Sequence, residues 1–305
     1  MGIDGPPVGV LLMAYGTPAT PADVEAYYTH VRRGRPPTAE QLADLQRRYE
    51  AIGGTSPLLE RTRAQAAALA AELGPGFVVE LGMKHAPPFV EDGATALAAA
   101  RVDRVVGLVL APHFSRLSVG EYAERARRAV SLKGLRFAMV DSWFREPGYL
   151  DLLAGALAGL PVDLGEVEVV FTAHSLPVRI LAEGDPYPEQ LRQTADAVAV
   201  RAGLSSWSVG WQSAGRTPEP WIGPDILDVL RARAVPSVAG VASRGVVVCP
   251  AGFVSDHLEV LYDLDVEAAR LAADLGLAFT RTPMPNDHPV LAATLAEVVR
   301  RRADA

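Results

Sequence analysis

Short, β-branched, largely apolar runs alternate with Ala- and Leu-rich amphipathic segments from one end of the chain to the other. The runs predict strands over Val8 to Ala14, Phe77 to Met83, Arg104 to Ala111 and Arg136 to Val140. Further strands are predicted over Val167 to Ala173, Trp207 to Trp211, Gly245 to Cys249 and Ala278 to Thr280. Several of them (VLLMA, VVGLVLA, VVVC) are apolar at consecutive positions, as expected of parallel strands covered by helices on both faces. Helical periodicity falls between them, at Gln41 to Ile52, Pro57 to Glu72, Val119 to Val130, Glu189 to Ala202 and His257 to Leu275. The first of these carries Leu42, Leu45, Tyr49 and Ile52 on one face. Thr38 and Gln41 form a capping box at its start, and Gly53-Gly54 stops it. Strands alternating with helices indicate doubly wound parallel sheets.

Four of the strands run into turns of small and polar residues: GVLLMAYGTP, GLVLAPHFS, VVFTAHSLP and VVVCPAGFVSD. Open α/β sheets bind their ligands at such strand C-termini. The halves of the chain are weakly alike in this respect. With 305 residues and roughly 150 per domain, two Rossmann-like halves are expected. None of the turns is GxGxxG, and GxxxxGK[ST] is absent, which argues against a dinucleotide or a nucleoside triphosphate. The stretch Gly210 to Pro224 holds two tryptophans and is too long for a plain connection. It either lines a site or is a surface excursion anchored by buried indoles.

Charge and cysteine usage narrow the picture. Asp and Glu total 36 against 29 Lys and Arg, a formal net charge of −7, which disfavours a general nucleic-acid surface. No apolar run is long enough to span a bilayer. The start MGIDGPPVG carries neither an export signal nor an acylation signal, so a cytoplasmic location is expected. The single cysteine, Cys249, excludes an internal disulfide and a four-cysteine iron–sulfur or zinc site within one chain.

Four groups of residues could carry chemistry. Glu259, Asp263 and Glu267 recur at every fourth position, placing three carboxylates along one helix face. They form either a solvated acidic face, with Glu259 partnering an Asp256 cap, or a path for a hard cation or protons. His174 ends a predicted strand in TAHSLP and His113 sits equivalently in APHFS. Either could bind ferrous iron or shuttle protons, or be hydrogen-bonded architecture. His85 and His257 are further candidates. Tyr15, after the first strand, is either a half-buried aromatic or an axial phenolate for iron in a macrocycle. Arg32, Arg33 and Arg35 cluster in THVRRGRPP, with Arg47-Arg48 on the next helix, forming either a solvated turn or a carboxylate- or phosphate-binding patch.

Taken together, LLMAYGTP, YYTHVRRGR, RRYEAIGGTSPL, LAPHFS, TAHSLP, GDPYPEQL, VGWQSAGRTPEPWIGPD and GFVSDHLEVLYDLD resemble the ferrochelatases in content, order and spacing, from about residue 8 to residue 300. The resemblance is closest to the soluble coproporphyrin ferrochelatases of Gram-positive-type bacteria. It implies an α/β protein of two Rossmann-like domains, each a parallel sheet flanked by helices, with a porphyrin cleft between them. Residues 1–130 would form the first domain and 131–286 the second, with a C-terminal helix over 287–305 packed on the first.

The implied activity is insertion of ferrous iron into coproporphyrin III in haem biosynthesis. Protoporphyrin IX as substrate, or a non-catalytic tetrapyrrole or metal carrier, are the alternatives. By the resemblance, His174 and Glu259 match the catalytic metal-site pair, and Asp263 and Glu267 an acidic ridge leading from it. Tyr15 matches the residue that ligates the metalloporphyrin iron from the opposite face. Arg32, Arg48, Thr55, Ser56 and Tyr122 match positions that contact the porphyrin and its carboxylates, and Lys84-His85 a flexible loop. The resemblance further implies Fe(2+) as substrate, no prosthetic group and no iron–sulfur cluster. It implies a monomer with at most transient contacts to neighbouring haem-pathway enzymes, no nucleic-acid partner and no stable membrane insertion.

Overall fold

The computed structural model describes residues 5–234 and 245–305. Residues 1–4, which bear on the export and acylation readings, lie outside the described residues. The chain forms two compact units. The first runs to Trp143 and takes in Ser255–Leu258 and Asn286–Ala305; the second comprises Phe144–Val254 and Glu259–Pro285.

The elements up to Trp143 are β1 (Val8–Ala14), α1 (Val24–Val31), α2 (Ala39–Ala51), α3 (Leu58–Leu73), β2 (Phe77–Met83), α4 (Val90–Ala99), β3 (Arg104–Val109), α5 (Glu121–Ser131) and β4 (Arg136–Val140). There follow α6 (Pro147–Ala158), β5 (Glu168–His174), α7 (Arg179–Ala182), α8 (Tyr187–Ala202), β6 (Trp207–Gln212), α9 (Ile226–Ala234) and β7 (Gly245–Cys249). The chain ends with α10 (Leu258–Val260), a π-helical segment Leu261–Ala268, α11 (Ala269–Asp274), β8 (Ala278–Arg281) and α12 (Pro289–Asp304).

All eight predicted strands are present. They form two parallel four-stranded sheets, in the orders β2-β1-β3-β4 and β6-β5-β7-β8. The continuous apolar runs explain the central positions: every residue of β1 and of β7 is buried. Leu11 has no solvent exposure and packs in a cluster with Val90, Ala94 and Leu97 of α4. A Leu11→Ala substitution should therefore cost about 2–5 kcal/mol through lost transfer energy and the cavity left behind. A urea melt followed by far-UV circular dichroism would read this as a lowered midpoint, and an unshifted midpoint would refute the close packing.

Strand β4 pairs with β3, from Arg104 opposite Arg136 to Leu108 opposite Val140. A division after residue 130 would cut this strand from its own sheet, so the first unit continues to Trp143, whose indole Nε1 donates to the Val109 carbonyl at 3.0 Å. Helix α12 closes the same unit: Arg302 Nε donates to the Met139 carbonyl at 2.9 Å and Arg300 Nη2 to the Glu72 carbonyl at 2.6 Å. The capping box on α2 forms as predicted, with Gln41 N donating to Thr38 Oγ1 at 3.2 Å and Thr38 N to Gln41 Oε1 at 3.0 Å.

Each sheet has its change of winding direction beside its central strands, between β1 and β3 and between β5 and β7. Ligands of doubly wound sheets bind beyond the strand C-termini at such a point. Tyr15 follows β1 there, and His174 ends β5. Cys249, the last residue of β7, is fully buried, and burial pushes its thiol up to about 12, so it is inert at neutral pH. Among the described residues no helix is long and apolar enough to cross a membrane.

Candidate active site

The second unit brings His174 and Glu259 together, with Nε2 of the imidazole 3.5 Å from Glu259 Oε1. His174 owes its place to strand pairing. Beyond it, Ser175 N donates to the Gln212 carbonyl at 2.7 Å, and the His174 carbonyl accepts from Tyr187 Oη at 3.0 Å. The turn leaving β7 rides directly on β5. Gly252 N donates to the Thr172 carbonyl at 2.9 Å, and a Cβ on Gly252 would lie 2.4 Å from that of Ala173. Only glycine permits that approach.

The ring of His174 faces oxygen on both sides. Nδ1 meets the Ser175 carbonyl, which can only accept, and Nε2 meets a carboxylate. Both nitrogens are therefore best served by carrying a proton. Burial alone would lower the imidazole pKa. The charge and hydrogen bond of Glu259, the Ser175 carbonyl and the charge of Asp263 outweigh it, and the value is raised to about 9. At neutral pH the pair is an imidazolium beside a carboxylate, so one proton must leave before Nε2 can ligate a metal.

The three carboxylates of the acidic face are placed differently from a solvated stripe. The helix expected over His257 to Leu275 is π-helical from Leu261 to Ala268, a wider turn than the α-helix and one often found at functional sites. Glu259 and Glu267 are half-buried, whereas Asp263 is buried and accepts from the Ser213 hydroxyl. Asp256 accepts from Asn286 Nδ2 at 2.7 Å. Among the described residues no three of His, Cys, Asp and Glu stand close enough to hold a metal ion together. His174, Glu259, Asp263 and Glu267 are therefore not one coordination sphere, because only the first two converge.

The tryptophan stretch divides by role. Trp211 lies in β6 and is buried, while half-buried Trp221 has its ring centroid 6.3 Å from that of His174. The stretch thus lines the histidine with one indole and is anchored by the other. Gln212 and Ser213, absent from the sequence-derived candidates, also belong here. Gln212 Nε2 donates to the Glu259 carbonyl at 2.9 Å, and Ser213 takes a left-handed φ of 60° beside Asp263. The only signal for them in sequence is two polar residues where an apolar strand ends.

The remaining candidates belong to the first unit. Tyr15 is exposed, and its ring centroid is 4.6 Å from that of His85. Arg32 is half-buried with its guanidinium 5.6 Å from the Tyr28 ring centre, and its Nε donates to the Arg35 carbonyl at 3.2 Å. Arg48 and Arg47 share the Asp44 carboxylate at 3.2 and 3.0 Å. Thr55 is exposed. Ser56 is buried, with its hydroxyl accepting from Leu58 N at 3.3 Å at the start of α3. Tyr122 is 4% exposed and joins the core cluster, with Lys84 Nζ 5.1 Å from its ring centre.

Lys84-His85 is tied down rather than loose. Lys84 Nζ pairs with Glu121 at 2.6 Å, and the two backbone amides donate to the carbonyls of Ala14 and Tyr15, each at 2.9 Å. Burial, followed by the nearby charges of Lys84, His30, Arg125 and Arg33, lowers His85 to about 3. Burial likewise lowers His113 to about 3. Of the two strand-end histidines, His174 alone has its pKa raised, so it holds its proton at neutral pH. His257 Nδ1 faces the Ser255 carbonyl at 2.9 Å.

The ferrochelatase family model matches residues 7–303. A coproporphyrin III ferrochelatase of Anoxybacillus flavithermus is 46% identical over 96% of this chain and 95% of its own length. One from Halalkalibacterium halodurans is 44% identical over 97% of each. Among solved structures, SirB from Bacillus subtilis with Fe3+ shares the fold at a TM-score of 0.59 and 12% identity, over 97% of this chain and 96% of that one. CbiX, the terminal enzyme for siroheme biosynthesis in denitrifying bacteria, does so at 0.54 and 18%, over 97% and 98%. The family-model match and near-complete coverage at this identity show that the chain belongs to the ferrochelatase family.

Proposed function

We propose that the protein inserts ferrous iron into coproporphyrin III to give iron coproporphyrin III in haem biosynthesis. The observation that carries this reading is the pairing of His174 with Glu259, 3.5 Å apart, at the winding reversal of the second sheet. The names of the relatives support the substrate. Insertion exchanges two pyrrole protons for one Fe(2+), so the site needs groups that accept protons and groups that release solvent-stripped metal. The Glu259 carboxylate accepts the two pyrrole protons one after the other, handing the first on to the neighbouring carboxylates before the second arrives. His174, once its own proton has left, offers Nε2 to the incoming ion. Asp263, buried against Ser213, and half-buried Glu267 take protons onward or pass the cation inward.

In the first unit, Tyr15 supplies an exposed phenol for the product iron. Arg32 and Arg48 meet propionates, with Thr55 and Ser56 following Arg48 in the turn after α2 and Tyr122 contributing from α5. Four propionates on coproporphyrin account for arginines clustered in a chain of net charge −7. The reaction is placed in the cytoplasm, in a monomer with no prosthetic group or iron–sulfur cluster, meeting other haem-pathway enzymes only transiently.

Anaerobic ferrous insertion measured with coproporphyrin III and protoporphyrin IX in parallel tests the substrate. The tetracarboxylate should be metallated at least about tenfold faster in kcat/KM, since losing a charged partner for half-buried arginines costs about a kcal/mol or more. A faster dicarboxylate would make the protein a protoporphyrin ferrochelatase. Tight porphyrin binding with no metallation would make it a carrier.

A further inference from the structure

We infer that Gln212 is a positioning residue that sets the Glu259 carboxylate against His174. This rests on the reading of that pair as the metal-exchange site. Gln212 has no solvent exposure, and its side-chain amide joins two pieces of chain that are far apart in sequence. Its Oε1 accepts from Thr172 Oγ1 at 2.9 Å, and its Nε2 donates to the backbone carbonyl of Glu259 at 2.9 Å. Its own carbonyl accepts from Ser175 N at 2.7 Å. Thr172, on β5, and Ser175, just beyond its end, bracket His174, so this one residue grips the chain on both sides of the histidine while holding the peptide of the glutamate.

The orientation of the amide follows from its partners. A carbonyl can only accept, so Nε2 must face Glu259, and Oε1 then receives the Thr172 hydroxyl. Turning the amide over would set two acceptors against each other in a site without water contact, at the cost of an unmade buried hydrogen bond. The next residue extends the same clamp. Ser213 adopts φ 60°, a conformation that side chains rarely take, and in it donates its hydroxyl to Asp263. Gln212 and Ser213 therefore hold positions 259 and 263 of the helical segment at the C-terminal edge of the sheet. A 3.5 Å separation between Nε2 and Oε1 is a long hydrogen bond, in the range where small displacements of the carboxylate matter for ligand and proton exchange.

The test uses the full-length protein, zinc as the metal and coproporphyrin III as the porphyrin. Gln212→Met keeps the volume and removes both side-chain hydrogen bonds. Thr172→Val removes only the hydroxyl that orients the amide. Rates are normalised to protein that binds porphyrin, measured by fluorescence titration, so that a loss of folded material alone would leave them unchanged. Gln212→Met should lower kcat/KM for zinc about 10- to 100-fold, as removal of a supporting partner around a metal ligand does. The porphyrin Kd should stay within about twofold, because the porphyrin-contacting arginines lie in the other unit. Thr172→Val should give a smaller loss in the same direction, and it decides the matter if Gln212→Met does not fold. Unchanged normalised kcat/KM in the folded variant, or an equal loss of porphyrin affinity, overturns the inference. His174→Ala serves as the control. If it retains turnover, the pair itself is misassigned. If it loses turnover while both Gln212→Met and Thr172→Val keep theirs, only the role of Gln212 falls.

Discussion

His174→Ala is expected to abolish iron insertion while leaving coproporphyrin III binding intact. Among the described residues, the ring nitrogens of the side chain meet the Ser175 carbonyl and the Glu259 carboxylate. The bond from Tyr187 goes to the backbone carbonyl of His174 and survives truncation. The strand end therefore keeps its anchors, and what disappears is the one imidazole poised to exchange a proton and a metal. A positioned acid–base group is worth about 10²–10⁴ in rate, and loss of a metal ligand adds to that. Turnover should fall below detection in an anaerobic ferrous assay, while fluorescence quenching on porphyrin addition follows the wild-type curve. Undiminished turnover would remove His174 from the chemistry. Lost porphyrin binding would recast it as a recognition residue.

The parts of the fold that were legible in sequence are those governed by burial and periodicity. Strands such as VLLMA and VVVC are apolar on both faces because helices cover both, and that pattern has no competing explanation at their length. The cap on α2 was equally readable, because Thr38 and Gln41 act within one turn. What the sequence did not disclose depends on contacts between distant residues. The pairing of β4 with β3 decides where the first unit ends, and an isolated RFAMV run carries no mark of its partner. The π-helical turn over Leu261–Ala268 reads as ordinary helix, because carboxylates four apart lie on one side in either geometry. The burial of Asp263 could not be inferred from an acidic residue on an acidic face, since it depends on Ser213, fifty residues away. His174 and Glu259 were marked as candidates by position and by family resemblance; their convergence is a property of the folded chain.

Glu259→Gln should separate the two functions of the pair. Removing the carboxylate removes the largest influence that raises the His174 pKa, leaving burial, which lowers it, opposed only by the Ser175 carbonyl and Asp263. The imidazole should therefore titrate well below 9, toward or under the ordinary 6.5, in a proton NMR titration of the His174 ring. The sign carries through to stability. A histidine whose folded pKa exceeds its unfolded value stabilises the protein fully below about pH 6.5, and that contribution is lost as the pH rises through about 9. Wild-type urea midpoints should accordingly fall between pH 6.5 and 9 by more than those of Glu259→Gln, because the variant lacks this contribution across the window. Activity should move the other way from metal access. In the variant His174 is already neutral at pH 7 and free to ligate, yet no carboxylate stands beside it to take the pyrrole proton. The expected result is a kcat reduced about 10²–10⁴-fold with the KM for the metal unchanged or lowered. A histidine that still titrates near 9 would show that Asp263, not Glu259, holds its proton. A kcat within twofold of wild type would transfer the proton-accepting role to another group.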